Sequence, residues 1–464
     1  MKELRKKIRN ILAEEFFEGG ENLNGYTLEI NMPVKQNDKK DIWEIKELLK
    51  KHNFKMYIVG GATRDTVKNA IKLQKNPMDT TIDIPKDFDL VTDATPNEVN
   101  NIFKNADFIS NILNIGESFA IEFLVTKNGN KYELATLRSE SGGGRKPDYV
   151  QYEKTIEKDA QRRDLKINAL YYKILNETEN GFYGIVYDLV GGIRDIKNNE
   201  LNTVGNPTDR FAEDPLRKLR AIRFAARMGS KIPGNVADAI KDGDTSLIDP
   251  TGKIVSNERI RDEFYKGIKG SKSIKYFLDL LAEFNFFKHI FADLKINPNY
   301  FIEEKHPIIL VSNLLKDNNI KEISKNLTIK KYSIDEINCI IFLISLINLD
   351  ENAVSAIKKF YLQKIKNAKP KINEKIYSMT DDVIYKFANI GQIDKIKVHN
   401  LLRLANEFIQ PSELLKSLGY QDKDLGIAIT RLEKEFYNNP DRIKKILDSK
   451  NAEEIKKIIF ISKA

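Results

Sequence analysis

KDFDLVTDATP, residues Lys86 to Pro96, carries two acids two positions apart in a run that reads as a strand over Phe88 to Val91. Side chains alternate along a strand, so Asp87 and Asp89 would face one side with their Cα atoms roughly 7 Å apart. Two carboxylates so placed can share a hard cation such as Mg2+, which keeps its waters and needs few protein ligands. A third acid on a neighbouring strand would complete a two-metal site, and Glu133 in KYELATLR is the best candidate. Such a site suits phosphoryl transfer, because it activates an attacking hydroxyl and stabilises a leaving oxygen. Taken alone, an Asp-x-Asp also marks many strand ends, so the surroundings decide.

Upstream, FKMYIVGG (Phe54 to Gly61) is β-rich and ends in two glycines, and ATRDTVKNAIKL then reads as a helix. Gly60 and Gly61 would let backbone N–H groups approach phosphates at a helix N-terminus, where the dipole favours anions. Arg64, one turn in, would add a charge-assisted contact to a triphosphate. A plain strand-to-helix turn would look the same. The pattern is neither GxGxxG nor a Walker-type loop, so dinucleotide and P-loop readings fail.

Downstream, SFAIEFLV (Ser118 to Val125) and KYELATL (Lys131 to Leu137) read as strands joined by the tight-turn signal KNGNK. SGGGRKPD (Ser141 to Asp148) has no apolar period and reads as a loop. AQRRDLKINAL places Arg162, Arg163 and Asp164 before an apolar run, a set suited to a sugar and phosphates, or to local ion pairs at a solvated helix start. EDPLRKLRAIRFAARMG (Glu213 to Gly229) opens with an acid and Pro215 and closes with glycine, as a helix should. Leu216, Leu219, Ile222 and Phe224 form its buried side. Asp214 and Arg217, one turn apart, offer acceptors and a planar donor fork matched to a base's Watson–Crick edge, or simply a surface pair. Arg220 and Arg223 continue at three-residue spacing and drift roughly 60° per step, reaching different parts of a ligand.

The chain has 464 residues with Lys+Arg 76 against Asp+Glu 67, net +9, and 41% hydrophobic residues. That length implies two or more modules. Cys339 is the only cysteine, which excludes an internal disulfide and Cys-built metal clusters. His52, His289, His306 and His399 are scattered, so a histidine-built metal site is not expected. The start, MKELRKKIRNILAEEFFEGG, lacks the apolar core of a secretory signal. Cys339 to Leu349 is the longest apolar run, too short to span a bilayer. A cytoplasmic protein without membrane contact is expected, and the positive excess fits a polyanionic partner. Residues 1–40 read as an N-terminal extension of low information, and WEIKELLKK within Ile42 to Lys51 as an amphipathic helix. Strand signals fade beyond Ala160 apart from Ile185 to Leu189, and from Asp214 the chain reads as helical.

In order along the chain, VGGATRD, DFDLVTDATP, YELATLR, RRDLKINAL, YDLVGGIRDIKN (Tyr187 to Asn198), EDPLRKLRAIRFAARMG and NERIRDE (Asn257 to Glu263) resemble the class II tRNA nucleotidyltransferase and bacterial poly(A) polymerase family. The resemblance spans Ile42 to Glu263. It implies an α+β head of polymerase-β type with a small mixed sheet (41–170), then an all-α neck that selects the nucleotide (171–270), body (271–385) and tRNA-binding tail (386–464). It further implies Asp87 and Asp89 as magnesium ligands, to which the strand reading adds Glu133 as the third catalytic acid. By the same resemblance Gly61 and Arg64 would meet the triphosphate, Arg163 and Asp164 the sugar region, Asp214 and Arg217 would select CTP or ATP, and Arg220 and Arg223 would touch the nucleotide further. Gly60 and Arg162 join them from the reading of the turn and of AQRRD above. Departures are Thr63 where valine is usual, extra residues around Leu73 to Pro85, LKINA after RRD, and a SGGGRKPD loop without the acid and aromatic that usually precede its Arg-Pro.

IGESFAIEF (Ile115 to Phe123) resembles the GxxFG strand of CCA-adding members, with Ala120 in place of the last glycine. SELLKSLGYQDKDLGIAITRLEKEF (Ser412 to Phe436) resembles their tail segment. The implied activity is therefore addition of CCA to tRNA from CTP and ATP, with pyrophosphate released. The alternatives are a CC-only or A-only enzyme, a poly(A) polymerase, or a silent RNA-binding protein.

Overall fold

The computed structural model describes residues 26–78, 81–114, 120–141, 149–241, 247–249, 251–297, 303–346, 381–390, 398, 407–408 and 410–461. The chain divides into two compact units, Met1–Asn285 and Phe286–Ala464.

The first unit is built on an eight-stranded mixed sheet: β1 (Tyr26–Pro33), β2 (Met56–Val59), β3 (Asp89–Thr92), β4 (Ile109–Asn114), β5 (Ile121–Thr126), β6 (Lys131–Thr136), β9 (Leu170–Thr178) and β10 (Gly181–Asp188). Their spatial order is β1-β10-β9-β2-β3-β6-β5-β4. Only β3 and β6 run parallel, and β7 (Arg138–Ser141) with β8 (Tyr149–Tyr152) forms a separate ribbon. Helices α1 (Gln36–Lys51), α2 (Gly61–Lys75) and α3 (Pro96–Phe103) join the strands of the head. A larger core holds Ile30, Ile42, Ile58, Phe88, Leu90, Phe103, Leu134, Tyr172 and Phe182. A smaller one, formed by Val59, Val91, Leu137, Ile156, Ala160 and Tyr171, lies on the other side of the alternating strands. In TDATP, Thr95 caps α3: its hydroxyl accepts from Glu98 N while the Glu98 carboxylate accepts from Thr95 N at 2.7 Å.

Helices α4 (Ile156–Gln161), α5 (Gly192–Asn198), α6 (Pro207–Glu213), α7 (Leu216–Met228), α8 (Gly234–Lys241), α9 (Asn257–Gly270) and α10 (Ile274–Glu283) complete the unit. A Cβ at Gly267 would stand 2.1 Å from the Phe277 ring, so only glycine lets α9 and α10 approach this closely.

The mixed sheet followed by helices agrees with the fold class read from the sequence, with three corrections. Tyr26–Pro33 is an edge strand paired with β10, so 26–40 is part of the head rather than an extension. Its alternation of buried Leu28, Ile30 and Met32 with polar Thr27 and Glu29 is a period-two signal. The sheet also runs on through β9 and β10 to Asp188, past residue 170. Finally, β3 begins at Asp89, so Asp87 lies just before the strand. The GGGRKPD part of the loop, and residues 115–119, lie outside the described residues.

Helices α11 (Phe287–Phe291), α12 (Pro307–Leu315), α13 (Ile320–Ile329), α14 (Ile334–Ser345), α15 (Asp381–Ile390), α16 (Ser412–Ser417), α17 (Asp422–Asn438), α18 (Pro440–Asp448) and α19 (Ala452–Ile461) lie in the second unit. Leu415, Leu432, Phe436, Ile443 and Ile455 form one of its cores. Cys339 is buried in α14, and burial pushes its thiol up to about 12, so it is not a reactive group. Among the described residues no helix is long and apolar enough to cross a membrane.

Candidate active site

Strand register lays out the site. Glu133 of β6 pairs with Asp89 of β3, Asp89 with Val59 of β2, and Val59 with Tyr171 of β9. One row across the sheet thus carries two of the three acids read from the sequence. Asp87 precedes Asp89 by two residues, with Phe88 buried between them. None of the three carboxylates has a hydrogen bond or ion pair among the described residues. Burial raises the pKa of Asp89, Arg163 pulls it back, and the Asp87 charge raises it further. Glu133 is raised by burial and then by Asp89. Like charges kept together with no protein donor are suited to a cation. Among the described residues no three His, Cys, Asp or Glu side chains stand close enough to cage a metal, so a cation here would need oxygens from a ligand as well.

The glycine turn abuts these acids. Gly60 has φ +74, and a Cβ there would stand 3.1 Å from Asp89 Oδ2. The open N-terminus of α2 therefore begins beside Asp89, where its N–H groups can meet a phosphate. Arg64 is 1% exposed, donates to Asn168 Oδ1 at 2.8 Å and pairs with Asp65 at 2.9 Å. It lies beneath the turn, with Nη2 3.8 Å from a Cβ built at Gly61.

Arg162 and Arg163 share one buried acid, Asp159 of α4. Arg162 Nη2 reaches Asp159 Oδ1 at 2.6 Å, and Arg163 Nη2 reaches Oδ2 at 2.9 Å. Burial opposes ionisation of Asp159, but the two guanidiniums and the Tyr171 hydroxyl hold it well below the usual carboxylate range. Asp159 escaped the sequence reading, although its spacing of three and four residues before the arginines is the helical ion-pair signal. Asp164 accepts from Arg220 Nε at 2.7 Å; burial opposes its ionisation, yet Arg220 brings it to about 2.

Arg162, Arg163, Asp164 and Arg220 line an open cleft of about 470 Å³ with Asp214, Leu216, Arg217, Arg259, Asp262, Glu263 and Lys266. Asp214 and Arg217 are both present, but they do not pair with each other. Asp214 Oδ2 accepts from Arg259 Nη2 at 2.9 Å, and Arg217 bonds Glu213 and the Arg162 carbonyl. Arg223 is buried behind the wall, bonded to Glu263 at 2.6 Å, and does not line the cleft. Arg259 and Glu263 are further site residues that the single-residue reading does not pick out; the signal that points to them is the string NERIRDE.

Residues 56–202 match the family model described as the poly A polymerase head domain. The chain is 34% identical over 244 residues to a CCA-adding enzyme of Bacillus licheniformis, covering 52% of this chain and 53% of that one. It is 31% identical over 262 residues to poly(A) polymerase I of Escherichia coli O6:H1, covering 55% of this chain and 50% of that one. Residues 56–202 thus carry the sequence of this head domain, and about half of the chain is similar to CCA-adding enzymes and poly(A) polymerases alike. Its matches span about half the length of these curated relatives.

At the level of fold, the chain is similar to the Bacillus stearothermophilus CCA-adding enzyme solved in complex with CTP, with TM-score 0.58 and 19% identity over 91% of this chain and 100% of that one. It is also similar to the Thermotoga maritima CCA-adding enzyme complexed with tRNA, with TM-score 0.53 and 19% identity over 90% and 96%.

Proposed function

We propose that the chain adds CCA to the 3′ end of tRNA, without a nucleic acid template, from CTP and ATP in the cytoplasm. The observation that carries this reading is the acid cluster: Asp89 and Glu133 paired across the sheet with Asp87 two residues away, none with a protein partner among the described residues, and Asp89 and Glu133 within the field of Arg163 of the arginine-rich cleft. The names of the relatives and fold neighbours supply the substrate class.

In this reading the 3′-hydroxyl of the RNA attacks the α-phosphate and pyrophosphate leaves. Asp87 and Asp89, with Glu133, would hold the divalent cations, taken as Mg2+, which activate the hydroxyl and neutralise the leaving oxygen. The α2 N-terminus at Gly60 and Gly61 receives the triphosphate. Arg64 acts from below the turn, orienting it rather than facing solvent. Arg162, Arg163 and Asp164 meet the sugar and phosphates, and Arg220 steadies Asp164.

Base choice falls to Asp214 and Arg217. Cytosine and adenine each present an exocyclic amino donor beside a ring-nitrogen acceptor, whereas guanine and uracil reverse that order. A carboxylate beside a guanidinium matches the first pattern and leaves both groups unmatched against the second. Arg259 fixes the Asp214 carboxylate, and Arg223 acts at a distance through Glu263. Basic residues of the chain, net +9, would hold the tRNA backbone.

A second reading, poly(A) synthesis, is favoured by the comparable identity to poly(A) polymerase I. Asp89→Ala tests the site common to both. Incorporation of labelled CTP or ATP should fall at least about 10³-fold while tRNA retention on a filter is unchanged. Near-normal incorporation would remove the carboxylates from the mechanism.

A further inference from the structure

Arg163 lines the cleft, and its charge bears on both Asp89 and Glu133. The orientation of its guanidinium therefore decides what the junction between carboxylates and cleft can bind. Nε donates to Asp159 Oδ2 at 3.1 Å and to the Tyr171 hydroxyl at 2.9 Å, and Nη2 donates to Asp159 Oδ2 at 2.9 Å. Among the described residues Nη1 has no partner.

Asp159 alone would leave this arrangement loose, because its carboxylate is shared with Arg162. Tyr171 closes it. Its hydroxyl donates to Asp159 Oδ2 at 2.6 Å while accepting from Arg163, and its ring lies 5.2 Å from the Arg163 guanidinium. The tyrosine cannot drift: it is fully buried, Tyr57 meets its ring edge-on at 6.3 Å, and its strand is paired at Val59, the same residue that pairs with Asp89. The sheet register thus sets Tyr171, Tyr171 and Asp159 set Arg163, and Nη1 is left facing outward.

We propose that Tyr171 is a positioning residue for the nucleotide, holding Arg163 so that Nη1 is presented to an oxygen of a bound nucleoside triphosphate. This inference rests on the nucleotidyltransferase reading above. Nothing passes through Tyr171 itself; it acts only by fixing the plane of Arg163.

The test is a double-variant cycle on the full chain, using CTP binding by calorimetry without RNA, with thermal unfolding recorded for each protein. Tyr171→Phe keeps the ring and its contact with Tyr57, so it removes only the hydroxyl. It should weaken CTP binding about 3- to 10-fold with a Tm change of only a few degrees. Combined with Arg163→Lys, which already removes the fork, Tyr171→Phe should cost nothing further. Unchanged CTP binding in Tyr171→Phe, or a loss that adds in full to that of Arg163→Lys, would overturn the positioning role. Wild-type protein that binds no CTP at all would instead contradict the nucleotidyltransferase reading, and this inference with it.

Discussion

At Ala120 the backbone takes φ +50, the left-handed conformation that a Cβ disfavours, while the side chain is 2% exposed. This is the position at which the resembling strand motif ends in glycine, so the chain keeps the motif's backbone without its residue. Ala120→Gly should therefore stabilise the protein by about 0.5–1 kcal/mol, despite the added freedom of the unfolded chain. A lowered Tm in that variant would show that the alanine is not strained. Single residues were otherwise unevenly legible. Asp87, Asp89 and Glu133 could be picked out because two acids in a strand, with a third on a strand nearby, is a costly arrangement. Asp159 could not, because an acid followed by arginines at helical spacing looks the same on a solvated surface as in a buried hub. Only burial distinguishes them. Spacing alone could not show the partners of Asp214 and Arg217 either: it puts the two one turn apart, but Arg259, 42 positions after Arg217, takes the carboxylate and Glu213 takes the guanidinium.

Among the elements, α1 is held to the β5–β6 hairpin by one buried carboxylate. Asp41 is 0% exposed and accepts from Thr126 Oγ1 at 2.9 Å, Asn128 Nδ2 at 2.7 Å and Asn130 Nδ2 at 2.8 Å, while the neighbouring Tyr132 hydroxyl donates to Asp38 of the same helix at 2.8 Å. The KNGNK turn is thus more than a reversal, since its asparagines are also the donors that fix the helix. Asp41→Ala leaves these donors without their acceptor, and a loss of about 2–4 kcal/mol is expected. It should appear as a lower denaturant midpoint and faster amide exchange over 126–132. An unchanged midpoint would mean that water replaces the carboxylate at no cost. The hairpin itself was legible from Asn-Gly, and α2 from its glycines. Strand β9 was not, because LYYKILNET carries buried Tyr171 and Tyr172 side by side on opposite faces and so shows no clean alternation.

Across the first unit, a line of charges joins the head to the helices that follow it. Asp164 pairs with Arg220 at 2.6 Å, Arg220 with Glu263 at 3.7 Å, and Glu263 with Arg223 at 2.6 Å. Asp164 and Glu263 both face arginines of α7, so the cleft walls are fixed in charge as well as in place. This network is the part least visible in sequence, since its members lie up to 99 positions apart; ordered motifs announced the family, but not which charge faces which. The central claim is that such a cleft, beside the carboxylate row, selects CTP and ATP for an RNA end by protein groups alone. The most direct measurement offers the protein tRNA ending at the discriminator base, Mg2+, and each of the four nucleotides singly or CTP with ATP, and reads products at single-nucleotide resolution. Three additions that stop with CTP and ATP together, and none with GTP or UTP, are predicted. A long ladder from ATP alone would move the activity to poly(A) synthesis, and indiscriminate use of all four nucleotides, or no product at all, would contradict the account.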